Sequence, residues 1–148
     1  MDFKATLRAL ITNVKNIGSG KILIGASTIT QQVAKNFLLS SEVSFRRKIK
    51  EAILAIRIEI AFSKNQILEL YLNEIYLGFK SYVVAAASLN YFDKSLDNLD
   101  LAEAAFLAAL PKAPNNYNPI TKLKQAVNRR NWVLNQMYKN GYIDQETK

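Results

Sequence analysis

The alternation of apolar and polar positions along the chain follows a helical period. In the segment Phe3–Asn16 apolar side chains recur every three or four residues, and Gly18 and Gly20 then end the pattern. Its apolar positions are Phe3, Leu7, Leu10, Ile11 and Val14. The pattern resumes from Thr28 to about Leu39, and again over a longer stretch from Val43 to Phe62. Because that longer stretch is apolar on two sides, it predicts a central, largely buried helix.

A capping-box signal opens the next predicted helix. Ser63 is followed three residues later by Gln66, so the side chain of each can bond the backbone of the other. The apolar positions after it predict a core stripe of Ile67, Tyr71 and Ile75, with Leu68 and Leu72 beside it. Gly78 is the predicted end of this helix.

Three more helices are predicted towards the end of the chain. Residues Ser81–Phe92 contain three consecutive alanines, which favour a helix packed closely through small side chains. Asp100 and Glu103 form a second capping box, and Pro111 closes the helix that it opens. The last clear helix runs from about Lys122 to Lys139 and is followed by a glycine.

The chain shows no alternating strand pattern, repeat or low-complexity segment, which predicts an all-α fold. The first helix begins almost at residue 1 without a capping segment. A further helix start at Asp144 and Thr147 meets the end of the chain at Lys148. These two features predict a domain that is truncated at both ends.

Composition limits the chemistry that the chain can perform. Its 148 residues, 49% hydrophobic and 22% charged, suit one folded domain. The absence of cysteine excludes disulfides and thiolate metal sites, and the absence of histidine excludes imidazole chemistry. Acids, amines, hydroxyls and amides remain. No apolar run approaches the ~20 residues that span a bilayer, and the mixed, charged start lacks a signal sequence, so no anchor or export signal is predicted within this chain.

A formal net charge of +8 favours a polyanionic partner. Nucleic acid, anionic lipid headgroups and a phosphorylated substrate all meet that description. The basic residues are spread along the chain instead of forming one recognition helix or arm, and the aromatic residues are scattered. We therefore expect no nucleic-acid partner.

Residues 25–32, G-A-S-T-I-T-Q-Q, contain five hydroxyl and amide side chains in eight positions. Hydroxyl and amide groups that are buried without partners cost roughly 1–3 kcal/mol each, so a core has little use for five of them. One interpretation is a solvated helix start, capped by Ser27 or Thr28, with Gln31 reaching back. The other is a binding cleft, to which Lys35 would add a charge one turn later.

A second candidate group lies on the long predicted helix. Arg47, Lys50 and Glu51 share one face, while Lys48 points about a quarter-circle away. Two cations would hold the carboxylate ionised and offer donors to a phosphate. The alternative is a solvated salt-bridge face worth a few tenths of a kcal/mol. Asp2 is the only carboxylate before Glu42, so Glu51 has little upstream to pair with in acid–base chemistry.

Four segments carry these residues and others in a fixed order: G-A-S-T-I-T-Q-Q at 25–32, R-K-I-K-E at 47–51, K-N-Q-I-L-E-L-Y-L-N at 64–73 and R-R-N-W-V-L at 129–134. With Leu110–Pro119 they resemble the second to fifth motifs of glycosyltransferase family 51. That family comprises the peptidoglycan glycosyltransferase domains of class A penicillin-binding proteins and the monofunctional transglycosylases. Residues 1–148 are thus expected to form a partial domain of this kind, without its first motif and membrane anchor.

The resemblance implies a lysozyme-like α-helical fold at the outer face of the cytoplasmic membrane. It implies polymerisation of lipid II into a growing glycan strand, with release of undecaprenyl pyrophosphate. Glu51 would be the second catalytic acid. The implied substrate-binding residues are Ser27, Thr28, Gln31, Gln32, Lys35, Arg47, Lys48 and Lys50. No cofactor is required, although a divalent cation (Mg²⁺ or Mn²⁺) assists some members; no dedicated metal site is expected.

Departures from the family pattern predict impaired activity. The first motif, E-D-x-x-F-x-x-H-x-G, supplies the general base and is absent. Val43 replaces a usual arginine that would contact phosphate, and Val83 replaces a usual glycine, which risks overpacking by roughly 1–3 kcal/mol. Loss of a general base typically lowers the rate by about two to four orders of magnitude. The alternative is a catalytically dead module that binds lipid II or an anionic membrane surface; an upstream fragment or a transpeptidase domain is left open as a partner.

Overall fold

The structure is a computed structural model that describes residues 27–38 and 45–146, without the side chains of Leu38 and Phe45. The predicted helix Phe3–Asn16 lies outside the described residues, as do Gly25, Val43 and Thr147. The chain divides into two compact units, Met1–Tyr71 and Leu72–Lys148. The described part is helical and contains no β-strand, so the all-α prediction is confirmed. Within it, no helix has the length and apolar character needed to cross a membrane.

The first unit contains helices α1 (Ile29–Leu38), α2 (Phe45–Ala61) and α3 (Lys64–Leu72, whose last residue begins the second unit). Helices α1 and α2 pack against each other. Val33, Ala34 and Ala55 are buried with almost no exposed surface. The apolar interior of this helix pair is therefore built from small side chains.

The prediction that α2 is largely buried is wrong. Its isoleucines at 49, 53, 56 and 60 are all exposed, and Ile60 keeps 82% of its surface. Of its described side chains, Glu51 and Ala55 are buried, one turn apart on the same face. Apolar residues on two sides predict burial on two sides, whereas the buried side of α2 is the one that carries Glu51.

Helix α3 begins as predicted but ends early. The Ser63 amide donates to Gln66 Oε1 at 2.9 Å, and the Gln66 amide donates to Ser63 Oγ at 3.3 Å, which completes the capping box. The helix stops at Leu72, not at Gly78. Ile75 is buried, as a core-stripe residue should be, but it lies beyond the helix. Apolar spacing alone could not separate a buried extended segment from one more helical turn.

The second unit begins with a tight hairpin in place of the predicted helix end. Tyr76 and Tyr82 form an isolated antiparallel bridge, and the Leu77 amide donates to the Ser81 carbonyl at 2.9 Å. Gly78 lies in the turn with φ +81°. A Cβ at this position would approach Tyr91 Oη to 2.9 Å, so both the backbone angle and the space require glycine.

Helices α4 (Val84–Phe92), α5 (Leu101–Ala109) and α6 (Leu123–Lys139) form the rest of the second unit. Three short 3₁₀ segments connect them, at Leu96–Asn98, Leu110–Lys112 and Pro114–Asn116. Helix α5 packs on α6. The buried apolar side chains of these elements are Ala87, Ala105, Phe106, Leu107, Ala109, Leu110, Ala126 and Leu134.

The predicted boundaries of α5 and α6 agree with the structure. The Glu103 amide donates to Asp100 Oδ1 at 2.8 Å, and the Asp100 amide donates to Glu103 Oε2 at 2.9 Å. This second capping box is therefore complete. Pro111 stands in the 3₁₀ segment that directly follows α5. Helix α6 begins within one residue of the predicted Lys122 and ends two residues before Gly141, which has φ +75°.

Val83 departs from ordinary backbone geometry. It precedes α4 with φ 79° and ψ 133°, a region that glycine enters readily and β-branched residues avoid. Its side chain is only half-buried. The sequence predicted crowding at this valine, whereas the structure places its strain in the backbone.

Candidate active site

The candidate site lies in the first unit, where α1 begins and where the early turns of α2 run. Thr28 caps α1: the Gln31 amide donates to Thr28 Oγ1 at 3.2 Å, and the Thr28 amide donates to Gln31 Oε1 at 3.0 Å. The helix-cap interpretation of these two residues is therefore confirmed. Gln31 is buried, Gln32 half-buried and Ser27 exposed. Capping fixes the backbone that presents Ser27.

Lys48 connects the two helices. Its ammonium group donates to Ser27 Oγ at 2.8 Å and to Glu51 Oε1 on its own helix. Lys48 and Glu51 are three residues apart, a spacing at which helical side chains are neighbours. The prediction that Lys48 points away from Glu51 is wrong, because the four-carbon side chain of Lys48 reaches the carboxylate although its Cβ lies to one side.

Glu51 is the most deeply buried charged side chain among the described residues, with 1% of its surface exposed. A buried carboxylate needs a countercharge, and the Lys48 ammonium supplies one. The Lys48 side chain itself remains half exposed. The arrangement therefore holds a water-excluded acid behind a cation that solvent and ligands can reach.

The remaining cations predicted for the site lie on the same two helices. Lys35 is exposed on the last turn of α1, and Lys50 is exposed on α2. Arg47 is half-buried on α2. Lys50 is exposed whereas Glu51 is buried, and the expectation that Arg47 and Lys50 flank Glu51 stays a prediction.

A second link between α1 and α2 was missed by the sequence analysis. Thr30 is buried, and its hydroxyl donates to Glu59 Oε1 at 2.7 Å. This hydrogen bond is the largest cause that lowers the pKa of Glu59 below its ordinary value, and the charge of Lys64 contributes further. The sequence contained one signal for this contact: Thr30 is a third hydroxyl residue in the stretch at 25–32, two positions after the capping Thr28.

Residues of the fourth and fifth motif segments have structural roles within their own units. Ile67 and Tyr71 are buried, and burial raises the pKa of the Tyr71 phenol. In the second unit the guanidinium of Arg129 stacks 3.9 Å from the centre of the Trp132 ring, and Leu134 is buried. Within residues 27–38 and 45–146, no group of three acidic side chains is placed to hold a metal ion. The assisting divalent cation remains an untested prediction.

Comparison with known proteins places this geometry in a family. A family model described as Transglycosylase matches residues 1–138. Penicillin-binding protein 1A of Rickettsia typhi is 49% identical over 147 residues, covering 99% of this chain and 19% of that protein. Penicillin-binding protein 1A of Neisseria flavescens is 53% identical over 143 residues, covering 97% of this chain and 18% of that protein.

A solved structure gives the same result. The crystal structure of penicillin-binding protein 1A from Haemophilus influenzae matches with a TM-score of 0.55 and 39% sequence identity, over 82% of this chain and 15% of that chain. The chain thus spans less than a fifth of the length of the relatives that it matches. The motif resemblance is confirmed: the chain belongs to the transglycosylase family.

Proposed function

We propose that this chain acts in peptidoglycan glycosyl transfer, as the part of the domain that holds the diphosphate of lipid II. The observation that carries the proposal is the Lys48 ammonium, which bridges Ser27 Oγ and the buried Glu51 carboxylate. A half-exposed cation fixed between two helices is suited to meet an anion that arrives from solvent. The family assignment supports lipid II as that anion's source.

The transfer joins the 4-hydroxyl of one sugar to the anomeric carbon of another. The carbon–oxygen bond to undecaprenyl pyrophosphate breaks, and negative charge accumulates on that leaving group. Lys48 would stabilise this charge, with Lys35, Arg47 and Lys50 on the same two helices adding positive potential. Glu51 holds Lys48 in place and would be the second acid of the reaction. Ser27, Thr28, Gln31 and Gln32 would line the cleft.

The proton of the attacking hydroxyl needs a separate acceptor. In the family that acceptor is the glutamate of the first motif, and these 148 residues contain no copy of that motif. We therefore propose that this chain alone either transfers no glycosyl units or transfers them at a rate about two to four orders of magnitude below that of a domain with the base. Its partners would be lipid II, the glycan strand and the outer face of the cytoplasmic membrane.

Binding and polymerisation of labelled lipid II test this proposal on the same sample. We expect saturable binding that Lys48→Ala weakens about tenfold or more, because a charge-assisted hydrogen bond is lost. Lys139→Ala, an exposed lysine on α6, is the matched control and should bind as the unaltered chain does. Absence of lipid II binding by the folded chain would refute the proposal. If the unaltered chain forms polymer and the Glu51→Gln variant does not, the proposed impairment is refuted.

A membrane-binding module is the second candidate, and the exposed cations favour it. The side chains of Lys35 on α1 and of Arg46 and Lys50 on α2 are exposed to solvent. Anionic vesicles of phosphatidylglycerol, compared with neutral phosphatidylcholine vesicles, separate the two functions. Binding that depends on lipid charge and weakens with salt, without saturable recognition of lipid II, would favour the membrane module.

A further inference from the structure

A cavity of about 300 Å³, partly open to solvent, lies within the second unit among α4, α5 and α6, and none of its lining residues is one proposed for glycosyl transfer. Small-molecule sites begin at about this volume, so the cavity has room for a small ligand.

Aromatic rings and short aliphatic side chains form most of its wall. Phe106 meets Tyr91 edge-on with ring centres 5.4 Å apart and meets Phe92 edge-on at 5.8 Å. Ala126 and Val127 of α6 complete the apolar lining. Edge-to-face contacts of this kind can be extended by one more aromatic ring, so the wall suits an aryl group.

The acidic side chains of the lining are already satisfied. Both carboxylate oxygens of Glu103 accept from Lys94 Nζ, at 2.7 and 2.9 Å, and this contact raises the pKa of Lys94. The Asp100 carboxylate accepts from the Glu103 amide at 2.8 Å, at the N-terminus of α5, where the helix dipole favours a negative charge. The charge of Asp100 also contributes to the raised pKa of Lys94, so one ammonium group acts on both acids.

The one cation of the lining has no such partner. Arg130 is half-buried, and its Nε and Nη2 atoms donate to the neutral amide oxygen of Asn131 at 3.0 and 2.9 Å. In the part of the chain that the structure describes, no carboxylate forms an ion pair with Arg130. A guanidinium carries five N–H donors in a fork that matches a carboxylate, so capacity for an anion remains at the cavity.

We propose that this cavity binds a small aryl-alkyl carboxylate. The aryl ring would extend the cluster around Phe106, and the carboxylate would meet the free donors of Arg130. Charge complementarity selects the acid over the corresponding alcohol or amine, and the aromatic wall selects the ring.

Titration of the nitrogen-15-labelled full chain by NMR tests the proposal, with 3-phenylpropionate as the probe. Saturable shifts should be confined to residues around the cavity. The uncharged 3-phenylpropan-1-ol and the cationic 3-phenylpropylamine should bind about tenfold or more weakly. Equal binding of acid and alcohol would overturn the role of Arg130, and no shift at the lining with millimolar acid would overturn the site itself.

Two variants and one control locate the binding. Arg130→Gln should weaken the acid about tenfold or more and leave the alcohol unchanged, whereas Lys124→Gln, an exposed residue of the same helix, should change neither. Val127→Phe should fill the cavity and abolish both. If a variant fails to fold, the comparison of acid with alcohol on the unaltered chain still tests whether the cavity selects a carboxylate. Arg130→Gln that binds the acid normally would contradict the proposal.

Discussion

The described residues of the two units differ in which polar side chains they bury beside the apolar ones. In the first unit the buried set includes Thr30, Gln31 and Glu51 beside small apolar residues, while the isoleucines of α2 are exposed. In the second unit Phe106, Leu107, Leu110 and other apolar side chains are buried. Both units bury large apolar side chains, since Ile67 and Tyr71 are buried in the first; among the described residues, only the first unit also buries a charged side chain, Glu51.

The contrast separates two sources of order. Burial of large apolar side chains stabilises the second unit by the hydrophobic effect, which is proportional to area and independent of direction. The first unit joins its helices through directed polar contacts, Thr30 to Glu59 and Lys48 to Ser27. Directed contacts add little net stability but fix geometry closely, which is what a reacting site requires.

Truncation of an apolar core residue should give the largest effect on this comparison. Phe106→Ala should lower the free energy of unfolding by about 3–5 kcal/mol, because it removes a buried ring and leaves a cavity. Urea unfolding followed by circular dichroism measures the change. Ile60→Ala in the first unit is the control, with an expected change near 0.5 kcal/mol because Ile60 is exposed. Similar losses in both variants would contradict the exposed position of Ile60.

Removal of a directed contact should give a smaller, pH-dependent loss. Thr30→Val keeps the shape and deletes the donor to Glu59, and should cost about 1–2 kcal/mol at neutral pH. Because the folded state lowers the pKa of Glu59, its contribution is present above the unfolded value of 4.5 and is lost as pH falls through the lower folded value.

The difference in unfolding free energy between the unaltered chain and Thr30→Val should therefore be constant above about pH 5.5 and shrink on further acidification. Urea unfolding at several pH values measures it. A difference that stays the same at low pH would mean that Thr30 acts through packing and not through the Glu59 carboxylate.

Relief of backbone strain should raise stability. Val83→Gly places at φ 79° a residue that accepts this angle. The free energy of unfolding should rise by about 1 kcal/mol, because the strain that is released exceeds the extra entropy that glycine gains on unfolding. Val84→Gly, one residue later in the first turn of α4, should instead lose about 1 kcal/mol. Thermal unfolding of the pair decides, and a loss in both would show that Val83 contributes through its side chain.

Substitution of the buried acid should give the smallest change. Glu51→Gln keeps an oxygen for the Lys48 ammonium and removes the penalty of burying a charge, so unfolding free energy should change by less than about 1 kcal/mol. Lys48, half exposed, can remain solvated. A loss above about 3 kcal/mol in the free energy of unfolding would show that the ion pair stabilises the first unit, contrary to its proposed role in glycosyl transfer.

The sequence predicted those features that depend on a few neighbouring residues. The capping boxes at Thr28, Ser63 and Asp100 all form, because each needs only side chains three residues apart. The family motifs pointed to Glu51 and Lys48, and the structure joins these two residues and Ser27 in one cluster.

Features that depend on distant partners were not predictable. The exposed face of α2 is set by which side meets α1, and no local pattern contains that choice. The contact of Lys48 with Ser27 spans 21 residues of sequence. The early end of α3 depends on the pairing of Tyr76 with Tyr82 across a turn. The positive φ of Val83, which directly follows this hairpin, is likewise not encoded in apolar spacing.

The contact between Arg129 and Trp132 gives the molecule a built-in optical reporter. Trp132 is the only tryptophan in the sequence, and it lies on α6 in the second unit. Its indole is half exposed, with a cation 3.9 Å above the ring, so its emission should respond both to solvent and to the loss of that charge when α6 unwinds. Tryptophan emission therefore follows the aromatic, apolar unit, whereas the unit that carries Glu51 has no tryptophan to report its own opening.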